Sequence, residues 1–217
     1  MRKRALITFG SHRHAELLDI SRPLFLAYAH LHGYEYVEID PADVEARAKG
    51  RPHDWAWLPI LHDALDHYDE VLRVGADVVI VDGTQDISDD VPAAAWSAMV
   101  IHEVADGHVP NTDASILRSE MQPWLRDAWE LDCYTHHPWW GQAALLHLMG
   151  IDPNSRPVIW GHATELRDHM AWLPLEWNSH ESSQRHSSPR FAHVTYGSID
   201  WRLPIMRAYA EKAVWVG

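Results

Sequence analysis

Residues 68–82 read Tyr-Asp-Glu-Val-Leu-Arg-Val-Gly-Ala-Asp-Val-Val-Ile-Val-Asp. The halves 71–74 and 78–81 are rich in β-branched residues and bounded by turn formers, so they read as the central strand of a sheet covered on both faces. A lone carboxylate, Asp77, interrupts that run. Burying it costs several kcal/mol unless a cation, a metal or several donors meet it. Two placements satisfy these residues. Either Gly75-Ala76 is a bulge that turns Asp77 to solvent or lets it cap a neighbouring loop, or the strand ends at Gly75 and Asp77 stands at its carboxyl edge, where open α/β sheets hold ligands.

Upstream of this stretch, residues 5–9 form a first strand with Gly10-Ser11-His12 as its exit turn. Leu17, Leu18, Ser21, Leu24, Phe25, Tyr28 and Leu31 recur at helical spacing over 14–32. Pro23 kinks that helix or, with Ser21 as cap, opens its second half, and Gly33 ends it. Residues 34–39 alternate as a second strand, and 40–53 read as a polar loop. Trp57, Leu58, Leu61, Leu65 and Tyr68 then give an apolar stripe on a helix starting near Asp54. The order β-α-β-α-β predicts a mostly parallel central sheet flanked by helices, with right-handed crossovers.

Downstream, 83–92 is an acidic loop, 97–104 a strand, 105–112 a polar turn and 114–117 a short strand. Ser119 is expected to cap a helix over 120–131, with Pro123 in its first turn. The loop 136–142, His-His-Pro-Trp-Trp-Gly-Gln, leads to a helix over 143–149 ended by Gly150. Residues 152–173 carry no clear period, 179–188 form a polar loop, 190–195 a last strand, and 203–213 a terminal helix.

Composition sets the outer bounds. The 217 residues suit one domain over 1–217, and 47% hydrophobic content with 12 Trp indicates a substantial core and an aromatic-lined cleft. A formal net charge of -13 repels a phosphate backbone, so bulk nucleic acid is not an expected partner. No stretch approaches the roughly 20 apolar residues of a membrane span. The basic start Arg2-Lys3-Arg4 precedes an apolar run too short for a secretion signal. The single cysteine, Cys133, cannot form an internal disulfide and reads as a small buried apolar residue, so the expected setting is the reducing cytoplasm.

Several strings in this order resemble the GT-A fold nucleotide-sugar glycosyltransferases, particularly the galactosyl- and mannosyltransferase-like branch and its bacterial and phage relatives. They are Tyr28-Ala29 with Gly33-Tyr34, Tyr68-Asp69-Glu70-Val71-Leu72 leading to Ala76-Asp77-Val78-Val79-Ile80, and Pro110-Asn111-Thr112. Trp139-Trp140, Gln142-Ala143-Ala144-Leu145, Leu173-Pro174 with Trp177-Asn178, and His193 with Gly197 continue the series. The resemblance implies a GT-A (Rossmann-like) α/β domain. It also implies transfer of a sugar, with retention, from a nucleoside-diphosphate sugar such as a UDP-sugar to an acceptor that the sequence does not specify.

In that family a divalent cation, Mn²⁺ or Mg²⁺, bridges the donor diphosphate, because two phosphate charges must be neutralised as the nucleoside diphosphate leaves. The resemblance puts Asp77 on the second aspartate of the Asp-x-Asp motif and His193 on a late histidine ligand. It puts Phe9 and Gly10 under the base and ribose, and Asn111, Trp140 and Gln142 around the sugar and acceptor. Were the reaction inverting, it would need a general base, for which Asp113 is the nearest candidate.

Four positions depart from the pattern. Gly75 stands at the first aspartate, Trp57 where a lysine is usual, Asp113 where a glycine is usual, and Gly141 where an acidic residue is usual. A metal-independent transferase, a site that recruits Asp82 or Asp113 instead, and a binding or scaffold module that lost the reaction all fit a degenerate motif. Trp139 and Trp140 read equally as a sugar-stacking wall or as core. His136, His137, His162 and His169 lack the spacing of a zinc site. Neither a Gly-x-Ser-x-Gly elbow nor a Gly-x-Gly-x-x-Gly turn supports a hydrolase or dinucleotide reading. A carboxylate restored by Gly75→Asp is expected to tighten Mn²⁺ binding and, without metal, to lower stability.

Overall fold

The computed structural model describes residues 2–215. The elements are β1 (Arg4–Phe9), α1 (Ala15–His32), β2 (Glu35–Ile39), α2 (Pro41–Ala48), α3 (Trp57–Ala64), β3 (Glu70–Val74), β4 (Val78–Ile80), β5 (Ser97–Val104) and β6 (Gly107–Arg118). They continue through α4 (Gln122–Trp129), α5 (Trp140–Leu148), β7 (Ile151–Asp152), β8 (Ile159–Trp160), α6 (Glu165–Asp168), β9 (Met170–Leu173), β10 (Ser179–His180), β11 (Phe191–His193) and α7 (Ile199–Ala210).

The main sheet has the order β2-β1-β3-β6-β5-β9. The pairs β1/β2, β1/β3 and β5/β9 are parallel, whereas β6 runs antiparallel to both of its neighbours. The mostly parallel expectation therefore holds, with one reversed strand at the centre. Both faces are covered, as the apolar pairing of Val71 and Leu72 on opposite faces of β3 requires. Val71 faces a cluster containing Trp55, Leu58, Leu125 and Leu145, while its neighbour Leu72 faces Phe25, Tyr28, Ile80 and Trp177.

Several boundaries move, each for a local reason. Residues 40–53 contain α2, because Asp40 caps the amide of Ala42, Pro41 opens the first turn and Val44 and Ala48 bury one face. Pro23 sits inside one continuous α1, and Ser21 is no cap: its buried hydroxyl donates to the carbonyl of Val78 at 2.7 Å. The expected turn and short strand over 105–117 are a single twelve-residue strand, β6. A 3₁₀ turn at Ser119–Met121 makes Met121, not Ser119, the cap of α4. The last helix begins earlier than expected, at Ile199, where the side chain of Ser198 accepts from the amide of Trp201. Residues 170–173, left unassigned by pattern, form the edge strand β9 beside β5. Cys133 is exposed rather than buried, since its 3₁₀ turn directs Tyr134 inward instead. Among the described residues no helix is long and apolar enough to cross a membrane.

The amino end of β3 carries a buried ion pair. Glu70, 1% exposed, is directly opposite Arg118 in the β3/β6 register and accepts from its Nε at 2.9 Å. Nη1 of Arg118 donates to the carbonyls of Pro92 and Ala95, both at 2.8 Å. Glu70 also accepts from the Ser88 hydroxyl and meets Arg2 at 3.4 Å, so Arg118→Ala leaves it partly paired and is expected to cost about 1.5–3 kcal/mol in urea unfolding. Exchange of both residues for apolar ones of similar volume is expected to cost much less.

Candidate active site

Past Val74 the chain leaves the main sheet through Gly75-Ala76-Asp77 and enters β4, which pairs with β11 in a separate small sheet. Asp77 thus lies beyond the carboxyl edge of β3. Two adjoining hollows of about 350 and 330 Å³ open there and share Arg73, Asp113 and Trp140 in their walls. One is bounded by Phe9, Gly10, His14, Gly75 and Asp77, the other by Asn111, Thr112, Gln142, His102 and His180. Gly10 permits the close approach of β1's exit turn: a Cβ there would lie 2.7 Å from that of His14 and 3.4 Å from that of Ala76.

Backbone pairing delivers Asp77 and His193 to each other. His193 is opposite Val78 in the β4/β11 register, and the amide of Val194 donates to the carbonyl of Asp77 at 2.9 Å. Asp113 arrives from β6. Met99 pairs with Ser115 and Val100 with Asn111, so residues 112–114 have no partner on β5 and bulge toward the cleft. Such bulges re-aim a side chain beside a site.

A chain of hydrogen bonds sets the polarity of His193. The backbone N–H of Asp113 can only donate, so the Asn111 atom it meets at 2.9 Å is the carbonyl Oδ1. That oxygen accepts again from Asn178 Nδ2 at 2.9 Å, which leaves Asn178 Oδ1 to accept from His193 Nδ1 at 3.0 Å. The Nε2 of His193 is thereby turned toward the cleft, buried and without a hydrogen bond. Asp77 Oδ1 lies 3.3 Å from it and Asp113 Oδ2 3.8 Å. Each carboxylate gives its other oxygen to an arginine: Asp77 Oδ2 is 3.2 Å from Arg202 on α7, and Asp113 Oδ1 is 2.7 Å from Arg73 on β3.

The electrostatics follow from this arrangement. Burial pulls His193 down, but the carboxylates of Asp77 and Asp113 outweigh it and hold the imidazole above its ordinary value. Burial pushes Asp77 up, yet His193 and Arg202 bring it below the usual carboxylate range. Burial lowers His102 to about 4 and His180 to about 3, so both are neutral near pH 7. Arg73, 7% exposed, keeps Nε and Nη1 without partners beside the cleft, its guanidinium 4.9 Å from the Trp57 ring centre. An unpaired buried guanidinium edge is costly, and an anion would satisfy it.

Sequence reasoning named Asp77, His193 and Asp113, and the fold gathers them. Gln142 accepts at Oε1 from the amide and hydroxyl of Thr112, each at 3.3 Å. Trp140 lines both hollows from a left-handed φ of 44°, a strained conformation of the kind that clusters at functional sites. Its neighbour Trp139 packs against the core and also lines the hollow that contains Asn111 and Gln142. Asn111 is committed to Asn178 and Asp113. Asp82 pairs with Arg190 at 2.9 Å and lies outside the walls of both hollows. Arg73, Arg202 and Asn178 were missed. Arg73 carried a signal as a cation within an apolar strand next to a lone Asp, and Asn178 stood in one of the strings that carry the resemblance.

Two of the unusual positions touch. A Cβ on Gly141 would fall 2.9 Å from Trp57 Nε1 and 3.1 Å from Leu58 Cδ1, so the indole occupies the space of the absent side chain.

No family model matches the sequence, and no curated protein matches it by sequence alone. Solved structures do match in shape. A glycosyltransferase involved in glycosylation of the major capsid of PBCV-1 superposes with a TM-score of 0.67 at 13% identity, over 95% of this chain and 99% of that one. The galactosyltransferase LgtC, solved with donor and acceptor sugar analogues, gives 0.55 at 13% identity over 98% and 97%. GlyE of Streptococcus pneumoniae TIGR4 gives 0.58 at 12% identity, over 96% of this chain but 61% of GlyE. The chain has the GT-A glycosyltransferase fold.

Gly141→Ala is expected to overpack against Trp57, and the strain should relax once Trp57 is also truncated. In a double-mutant cycle the Gly141→Ala cost is expected to fall by about 1–3 kcal/mol in the Trp57→Ala background, because the helix-propensity gain common to both backgrounds cancels. Equal costs in the two backgrounds would uncouple these positions.

Proposed function

We propose that this protein transfers a sugar from a nucleoside-diphosphate sugar to an acceptor at the cleft beyond β3. One observation carries the reading: the buried Nε2 of His193 faces Asp77 Oδ1 and Asp113 Oδ2 beside the unpartnered edge of Arg73, so that a cation bound there would displace any proton on Nε2. Among the described residues no group of three or more His, Cys, Asp or Glu stands ready-formed around a metal. The required adjustment is small. Cis ligands of a cation bound at about 2.1 Å are about 3.0 Å apart, against the 3.3 and 3.8 Å found here. The orphaned Nε2 with two facing carboxylate oxygens therefore suits Mn²⁺ or Mg²⁺. Bound there, the cation would supply charge neutralisation for the departing diphosphate.

The protein's own groups account for the rest. Phe9 and Gly10 floor the hollow suited to base and ribose. Arg73 Nε and Nη1 donate to anionic oxygens of the donor, Trp140 gives the sugar an apolar wall, and the Gln142 amide orients a hydroxyl. The bond from the anomeric carbon to the diphosphate oxygen breaks with its electron pair leaving on the diphosphate. The acceptor oxygen forms the new bond, and its proton passes to that same diphosphate oxygen. Transfer on the leaving-group face retains configuration and needs no separate base. Asp113 gives Oδ1 to Arg73 at 2.7 Å and turns Oδ2 toward His193 at 3.8 Å, so in this reading neither oxygen is left to serve as a base, which supports retention over inversion. The single cysteine supports a cytoplasmic setting.

The test is a thermal-shift and turnover screen of nucleoside diphosphates and their sugars, with Mn²⁺ or with chelator. A donor at 100 times its Kd is expected to stabilise the wild type by about 2.7 kcal/mol. Asp77→Ala is expected to abolish that shift and the turnover while the fold persists, and His193→Ala to reduce binding in Mn²⁺ more than in chelator. If no nucleotide shifts the melting temperature under either condition, the reading fails. Binding without release of free nucleoside diphosphate in any acceptor screen would mark a binding module instead.

A further inference from the structure

We propose that one carboxylate of the cation site is supplied from across the β3/β6 ladder: Asp113 on β6 provides the ligand that position 75 lacks, and Gly75 is glycine because the Asp113 side chain fills its space. The proposal rests on the cation reading of the cleft given above.

The ladder explains how the exchange works. Val74 pairs with Ala114, and the next step of the antiparallel register sets Gly75 against Asp113, whose carbonyl accepts from the Gly75 amide at 2.7 Å. Directly opposed residues of an antiparallel pair project to the same face, with Cβ atoms about 4.5–5.5 Å apart. A carboxylate can therefore pass from one strand to its partner and still reach the same volume. Here the approach is closer still: a Cβ on Gly75 would lie 3.2 Å from Asp113 Cβ, 3.4 Å from its Cγ and 3.1 Å from Asp77 Oδ1.

The backbone at position 75 does not itself call for glycine. Gly33, Gly50, Gly107, Gly150 and Gly197 have positive φ, and Gly75 does not. What crowds a side chain there is the pair of carboxylates, which would have to give by a few tenths of an ångström. The bulge over 112–114 turns Asp113 inward, and Arg73 holds its Oδ1, leaving Oδ2 toward His193. His193 provides the independent sign of a ligand, being 1% exposed with an Nε2 that makes no hydrogen bond and faces both carboxylates.

Crowding at position 75 points the other way from the tightening of Mn²⁺ binding first expected for Gly75→Asp alone, because a new side chain there would press on both carboxylates while Asp113 is in place. The experiment measures Mn²⁺ binding to the full chain, without nucleotide, by electron paramagnetic resonance of the free ion and by calorimetry. Melting curves in chelator confirm that each variant is folded. Asp113→Asn, which keeps the side-chain shape, is expected to weaken Mn²⁺ binding at least about tenfold, since affinity for hard cations follows ligand charge and count. Gly75→Asp is expected to bind no more tightly than wild type and to melt lower in chelator. The double variant Gly75→Asp/Asp113→Gly, with the two roles exchanged, is expected to recover binding to within about threefold of wild type.

Wild-type affinity in Asp113→Asn overturns the proposal, as does tighter binding by Gly75→Asp alone or a double variant no better than Asp113→Asn. A wild type that binds no Mn²⁺ overturns it too. In that last case a nucleotide-induced melting shift that is indifferent to chelator would leave the transferase reading standing without the cation.

Discussion

The antiparallel pairing of β6 with β3 places Asp113 opposite Gly75, and the backbone amide of Asp113 starts the hydrogen-bond chain that ends at His193. A backbone N–H cannot change roles, so every amide orientation along Asn111 and Asn178 follows from it. The consequence is an imidazole whose outer nitrogen has no protein partner. Had β6 run parallel, the cross-strand opposition at position 75 and this chain would both be lost.

Charge at the cleft is balanced locally although the protein as a whole is strongly acidic. Asp77 with Arg202 and Asp113 with Arg73 form two pairs, each leaving one carboxylate oxygen uncommitted. A buried carboxylate with no cation would be driven neutral, and one fully enclosed by donors would have no capacity left for a ligand. Sharing each between an arginine and the open side leaves one oxygen of each available. The guanidinium of Arg73 gains from lying over Trp57, where the ring face attracts a cation.

The four departures from the family pattern resolve into two touching pairs. Asp113 fills the space at Gly75, and Trp57 fills the space at Gly141. Arg73 joins them, bonded to Asp113 and stacked over Trp57. In each pair a large side chain stands against a position that has none. Matched changes preserve packing density, which a close-packed interior requires. Fold similarity at 13% identity over nearly the whole length of both chains is compatible with such exchanges, since layer architecture depends on apolar pattern more than on particular residues.

The chain's α/β alternation, the first helix with its Gly33 stop and the strand over 97–104 were legible because periodicity and turn residues are local properties. Asp77 was legible through desolvation, as a carboxylate that an apolar run cannot bury unaided. The helix at Pro41–Ala48 was hidden by its polar composition, because two inward residues suffice once α3 and the turn before it lie beneath them. The bulge in β6, the unpartnered donors of Arg73 and the arrival of Arg202 had no local signature. The sequence alone therefore determined the alternating framework and the anomaly at Asp77. Only the tertiary structure decided that Asp113 answers Gly75 and Trp57 answers Gly141, because which side chain fills another's vacant space depends on strand register and helix packing between residues far apart in the chain.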